Sequence, residues 1–302
     1  MKATTHTEIY RPFEGTLSTR SFRFLTIAWS GIRLSSKKKF PLLVMLGPPA
    51  MGAIIFSFIV YAKYSVEKGE VPAGVNVGQT QLILAMAGTN LEVAQQIVNF
   101  LTLPIIRGFV LLTIAWFGAG MIAEDRRLGA HLLYFSRPIT RLDYLLGKFL
   151  ATAYFGAAAL LVPAVSINMI AAFSSPDWSY LKEQWDVILK TIAFSAAWIA
   201  IVTALVLAVS SLVERKTLAL AAVFGLVFLT EAVSNVLAKL THESKYRLLS
   251  LFRNTDRLAD WTFARQTSYD WAPEASLAAV SILFASTLFV LWWRLRRMEE
   301  VA

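Results

Sequence analysis

Six apolar stretches, each about 19 to 25 residues long, punctuate the chain at 40–62, 100–123, 149–173, 192–212, 218–238 and 275–293. A helix of that length rises roughly 28–38 Å, enough to cross the hydrocarbon core of a bilayer. The expected fold class is therefore all-α: a polytopic membrane protein with six transmembrane helices. Composition agrees, because 16% of residues are charged, against about 25% in an average soluble domain. No polar stretch is long enough to fold by itself. Gly47, Pro48 and Pro49 fall inside the first stretch and are expected to kink it.

Six crossings put both ends of the chain on one side. The tail 1–39 carries eight Lys or Arg, the segment 124–148 five, the turn 214–217 two and the tail 295–302 with Arg294 three, together 18 of the 29 in the chain. The positive-inside rule makes that side cytoplasmic, so the expectation is a multi-pass protein of the plasma or inner membrane with both termini cytoplasmic. The loop 239–273 counts the other way, with six Lys or Arg. It also mixes apolar residues at helical spacing with Trp261, Phe263, Tyr269 and Trp271, the pattern of short interfacial helices at the outer headgroups. The first 39 residues hold no apolar core of a signal peptide, so the first span is expected to stay as an uncleaved anchor. Within 17–34, Arg23, Thr26, Ser30 and Arg33 share one helical face and Phe22, Leu25, Trp29 and Ile32 another, which suits a helix lying in the membrane interface. The organisation is then a tail with an interfacial helix at 1–39, a six-span region at 40–294 and a short tail at 295–302.

Several chemistries are unsupported. There is no cysteine, and His6, His131 and His242 lie far apart with no metal-ligand spacing. Gly147-Lys148 lacks the upstream glycine of a phosphate-binding loop. No catalytic residue, no metal and no directly bound cofactor is expected. In a soluble protein the net charge of +9 would suggest nucleic acid; here it follows from topology, and no nucleic-acid partner is expected.

The stretch "AEDRRLGAHLLYFSRPITRLDYLLGKFLA", 123–151, returns a greasy chain to water between spans two and three. A tether would need about four to six residues. This loop is longer and patterned: Leu128, Leu132 and Phe135 follow one helical face, and Leu142, Leu145, Leu146 and Phe149 resume it. Pro138 disfavours helix at Arg137, and Thr140 with Asp143 forms a capping-box pair that starts the next helix. Helix, break, helix is a structured projection on which something docks, with Leu132, Phe135 and Leu142 as its apolar face and Arg137-Pro138 setting the angle between the halves.

The segment resembles permease subunits of type-2 ABC transporters, in particular those associated with nitrous-oxide-reductase maturation. The matching positions are Glu124, Asp125, Arg126, Gly129, Arg137, Pro138, Arg141, Tyr144, Gly147 and Lys148; His131-Leu132-Leu133 departs from the shorter step of many members. The resemblance implies a coupling helix that docks on a separate P-loop ATPase, which holds the ATP and magnesium, and a second permease chain in a homo- or heterodimer within the lipid bilayer. Glu214 and Arg215, in the turn between spans four and five, would be a smaller second contact. The plain reading of the same residues is that Arg126, Arg127, Arg137 and Arg141 enforce topology or bind anionic lipid, that Lys148 snorkels and that Gly129 ends a helical turn.

Polar residues also fall inside the apolar stretches. Arg107 and Glu231 lie at similar depth, on the order of 10 Å from the outer surface by helical rise; Asn235 follows Glu231 at i+4, and Asn168 lies in the outer half of span three. A charge inside a span costs roughly 2.5–3.5 kcal/mol on insertion scales, so Arg107 and Glu231 are expected to pair, forming with Asn168 and Asn235 a polar layer on a substrate route. The plain reading is that Pro104 is the first helical residue, which leaves Arg107 in an interfacial first turn and Glu231 an ordinary buried, hydrogen-bonded or protonated side chain. The function expected is the permease subunit of an ATP-driven exporter. The alternative is a membrane anchor or mechanical transmitter acting on an extracytoplasmic partner without moving solute.

Overall fold

The computed structural model describes residues 22–37, 39–68, 76, 78, 92–130, 139–267 and 269–299. Leu132, Phe135, Arg137 and Pro138, the centre of the coupling loop, lie outside the described residues, as do residues 1–21. The described residues are helical with no strand, and six helices are long and apolar enough to cross a membrane. They are α2 (Lys39–Glu67), α4 (Pro104–Arg127), α5 (Arg141–Ser174), α7 (Trp185–Leu212), α8 (Lys216–Thr241) and α10 (Pro273–Glu299). Among the described residues, shorter α-helices accompany them: α1 (Arg23–Ser36), α3 (Val93–Thr102), α6 (Ser179–Glu183) and α9 (Leu251–Thr262).

The second span starts at Pro104, and residues 100–102 belong to α3, which corrects the boundary at residue 100. The cause is Pro104 itself: it occupies the first helical position and forces Leu103 into an extended conformation, so a single helix cannot cross that point. The third span starts at Arg141 and not at 149, because the helix begun by Thr140 runs straight into the membrane segment. Asp143 N–H donates to the Thr140 hydroxyl at 3.1 Å and Thr140 N–H to the Asp143 carboxylate at 3.2 Å, the two halves of a capping box.

The second span is the central pillar, with nearly three quarters of its apolar window buried. Its close approach to spans three and four needs Gly118: a Cβ there would lie 2.6 Å from the Thr152 methyl and 2.8 Å from Val206 Cγ1. Ser210 of span four ties the same pair, donating to Ala119 O at 2.7 Å. The first span runs unbroken through Pro48 and Pro49. Pro49 has no N–H to give Met45 O; the Thr113 hydroxyl of span two, which donates to Phe109 O at 2.7 Å, lies 3.5 Å from that carbonyl. The third span contains a π-helical turn at Ala157–Leu161, followed at once by Pro163. Arg126 and Arg294 both donate to Ser211 O, so the end of span two, the end of span four and the last helix meet at one end of the bundle, here called the basic end.

Candidate functional site

At the basic end the matched motif residues divide into a buried brace and an exposed rim. Asp125 is the hub of the brace. Its carboxylate accepts from Tyr144 Oη at 2.8 Å and forms an ion pair with Lys148 Nζ at 2.7 Å. Tyr144 is fully buried and Lys148 is 7% exposed. Lys148 therefore does not snorkel to solvent: one and two turns into α5, Tyr144 and Lys148 face the last turn of α4, and the carboxylate there compensates the buried ammonium. Arg126 reaches across to the end of span four, donating to Ser211 O at 2.8 Å and pairing with Glu214 at 3.6 Å. Its cation sits where the span's last carbonyls need donors. Gly129 has φ 68° and ends α4, so it closes the helix where a side chain would be strained.

Gly147 has a different task. A Cβ there would lie 2.6 Å from Ile27 Cβ and 3.0 Å from Phe24 O, so its bareness lets α1 lie against α5. Gly31 meets Ala151 on the same line, since a Cβ at Gly31 would be 3.1 Å from the Ala151 methyl. The face of α1 that packs is thus Phe24, Ile27, Ala28 and Gly31. Phe22, Leu25 and Trp29, the apolar stripe seen in the sequence, stay exposed on another side. The rim is exposed: Leu128 and Leu142 are 72% and 65% exposed, and Glu124, Arg127, Glu214 and Arg215 are exposed beside them. Arg141 lies between rim and brace, half-buried. A cleft of about 240 Å³ opens between α1 and spans two, three and five, with Glu124, Lys148 and Lys216 on its walls. Lys216 Nζ stands 4.5 Å over the Trp116 ring.

At the far end, the expected pairing of Arg107 with Glu231 is corrected. Arg107 is 3% exposed and pairs with Asp256 of α9 at 2.5 Å. It also donates to Leu101 O at 2.7 Å and Phe252 O at 3.2 Å. Glu231 pairs with Arg253, also of α9, at 3.4 Å, accepts from Asn235 Nδ2 at 3.1 Å and accepts a very short hydrogen bond from Ser250. The reason is that α9 brings its own charges between the two spans. Ser250 caps that helix by accepting from Arg253 N–H at 3.1 Å, which orients Arg253 to Glu231 and Asp256, one turn on, to Arg107. Tyr269 Oη donates to Asp256 at 3.1 Å. Burial pushes the carboxyls of Asp256 and Asp260 up from the ordinary range, against the pull of Arg107 on the first and Arg265 on the second.

Asn168 does not join this network. It is fully buried, donates to Ala164 O at 2.9 Å and Thr191 Oγ1 at 3.4 Å, and accepts from Tyr180 Oη at 2.7 Å. Its partners lock α6 and the fourth span to the third. Sequence reasoning missed Asp256, Arg253 and Tyr269. Their signal was present, since Arg253, Asp256 and Asp260 recur at i, i+3 and i+7, but the same spacing describes a solvated helix face.

Residues 41–298 match the model of a family described as ABC-2 family transporter protein. No curated protein matches the sequence.

Proposed function

Because the chain belongs to the ABC-2 family of transporter proteins, and is thus a multi-pass membrane permease of an ABC transporter, we propose that its basic end is the cytoplasmic docking platform for a separate P-loop ATPase. ATP and magnesium are held on that subunit, and a second permease chain, identical or related, completes the assembly in the bilayer. The transport direction in this reading is outward. The motif from Glu124 to Lys148 supports placing the chain with permeases of the nitrous-oxide-reductase-maturation type.

The observation that carries the reading is the contrast at the basic end. Tyr144 and Lys148 are buried and engage the half-buried Asp125, and Gly147 is buried against α1, while Leu128 and Leu142 stand exposed on the two limbs they hold. A rigid support beneath an apolar rim is what transmits force between subunits, and it fits a partner that pushes. The test is co-purification of the tagged chain from its host membrane. A P-loop ATPase should accompany the wild type. Leu128→Asp with Leu142→Asp should lose it while the chain still inserts, because a carboxylate on the rim must be desolvated to dock. Undiminished association in the double variant would rule out this docking surface.

A further inference from the structure

Two consecutive residues at the far end, Asp177 and Trp178, sit in the left-handed region at φ 50° and φ 58°. That conformation is uncommon for any residue but glycine and rare for a bulky one. The flanks hold it in place. Ser175 donates to Ala172 O at 3.0 Å and accepts from Tyr180 N–H at 3.4 Å, and the buried Tyr180 is tied in turn to Asn168. The clamped turn folds the Trp178 indole back on span three, where it meets the exposed Phe173 ring edge-on at 5.4 Å. Trp178 itself is 50% exposed, and Trp185, the first residue of span four, 58%. Among the described residues neither indole N–H has a protein acceptor.

The height of these rings follows from the hydrogen bond between Asn168 and Thr191, which puts the two residues roughly level. Counting outward at about 1.5 Å per residue, Phe173 of span three and Trp185 of span four stand about 8 and 9 Å beyond them. On span four the ion pair of Lys190 and Asp186 lies between Thr191 and Trp185, and from Thr191 to Val213 the chain carries no charge. The hydrocarbon edge therefore falls near Lys190, and the rings lie just outside it. The headgroup layer there is about 5–8 Å deep, half the difference between a whole bilayer and its core. A Trp turned back on the exposed wall of its own span at that height faces lipid, whereas a Trp that met a soluble partner would point away from the span.

We propose that Trp178 and Trp185 form an interfacial anchor. Their indoles sit in the glycerol-ester and headgroup layer of the far leaflet, donate N–H to ester or phosphate oxygens there, and fix the height of spans three and four in the bilayer. Indole suits that layer because its body is apolar and its N–H needs an acceptor. The left-handed turn is what brings Trp178 to the right height. The inference rests on the six-span architecture and does not depend on the ATPase reading.

Site-directed spin labelling tests it, since the chain has no cysteine and each introduced one is unique. With the purified chain in phosphatidylcholine vesicles, labels at Trp178→Cys and Trp185→Cys should show oxygen and nickel-chelate access between those of Val162→Cys, in the hydrocarbon, and Asp177→Cys, in water. Phe173→Cys should read as the indole positions do, which keeps the test open if replacing Trp178 disturbs the turn. Chelate access at 178 and 173 equal to that at 177 would put the turn in water and overturn the proposal. Low access to both reagents would mean that protein covers the turn, an extracytoplasmic partner or a second permease chain, and would overturn the lipid assignment. The anchoring itself is read from bilayer thickness. The label at Phe173 should keep its depth between short- and long-chain phosphatidylcholine, and should follow thickness once Trp185→Ala and Trp178→Ala are added. A depth that follows thickness without those changes, or that stays fixed with them, would show that the indoles hold nothing.

Discussion

The guanidinium of Arg107, in the first turn of the second span, lies 2.5 Å from the carboxylate of Asp256, which belongs to a short helix between spans five and six. The contact fastens that helix to the central pillar, and it does so through a charge that would otherwise be buried alone. Arg253 makes the matching contact to Glu231 of span five. A single amphipathic helix is thereby held to two spans by two oppositely oriented ion pairs, one turn apart.

Removing either partner of the buried pair should be worse than removing both. Asp256→Leu leaves Arg107 uncompensated and should cost about 3–5 kcal/mol. Arg107→Met with Asp256→Leu removes both charges, and should recover most of that loss. Thermal unfolding of the four proteins of this cycle in detergent checks the prediction. A double variant as unstable as the worse single one would mean that the pair is not what holds the helix.

The pH dependence of the same region has a sign opposite to the one an ion pair usually suggests. Burial outweighs the attraction of Arg107 and raises the Asp256 carboxyl above its ordinary range, and Asp260 shifts the same way. The folded chain therefore binds more protons than the unfolded chain just above the ordinary carboxylate range. The linked stability is complete below that range and is lost as pH rises through the raised values. The advantage of the wild type over Asp256→Asn, measured as a difference in thermal midpoint, should shrink as pH rises through this window. A difference that widens would mean that Arg107 governs the titration.

Gly147 should tolerate no side chain while α1 stays in place. The built Cβ position is 2.6 Å from Ile27 Cβ and 3.0 Å from a backbone oxygen that cannot rotate away. Gly147→Val should cost about 1–3 kcal/mol by overpacking and lift α1 off span three, whereas Gly225→Ala, which meets nothing within 4 Å, should be silent. Protease cleavage between α1 and α2 reports the difference, faster in the Gly147→Val variant and unchanged in the control.

The six spans were legible because each is a long, predominantly apolar run, and a run of that length has few other uses. The cap at Thr140 was legible because a capping box is local: Thr and Asp three residues apart need nothing beyond their own turn. The partners of Arg107 and Lys148 were not. Depth along a helix placed Arg107 level with Glu231, but pairing is decided by what docks between them, and α9 carries its charges at the spacing of an ordinary solvated helix. Lys148 reads as a residue at a span end with water in reach; only the approach of α4 closes it in with Asp125. Asp125 and Tyr144 were in the recognised motif, yet nothing local distinguishes a side chain that meets a partner subunit from one that braces the surface beneath it.

The π-helical turn at Ala157–Leu161 gives the third span an uneven stiffness along its length. Below it, Tyr144 and Lys148 grip Asp125; above it, Asn168 grips Tyr180 and Thr191. Between the grips the usual ladder is displaced: Val162 N–H bonds to Ala157 O five residues back, and Pro163 has no N–H to offer. A torque delivered to the lower grip meets a section with fewer regular hydrogen bonds before it reaches the upper one. The span behaves as a shaft with a torsion joint, in which the joint takes up twist that a continuous helix would pass on whole.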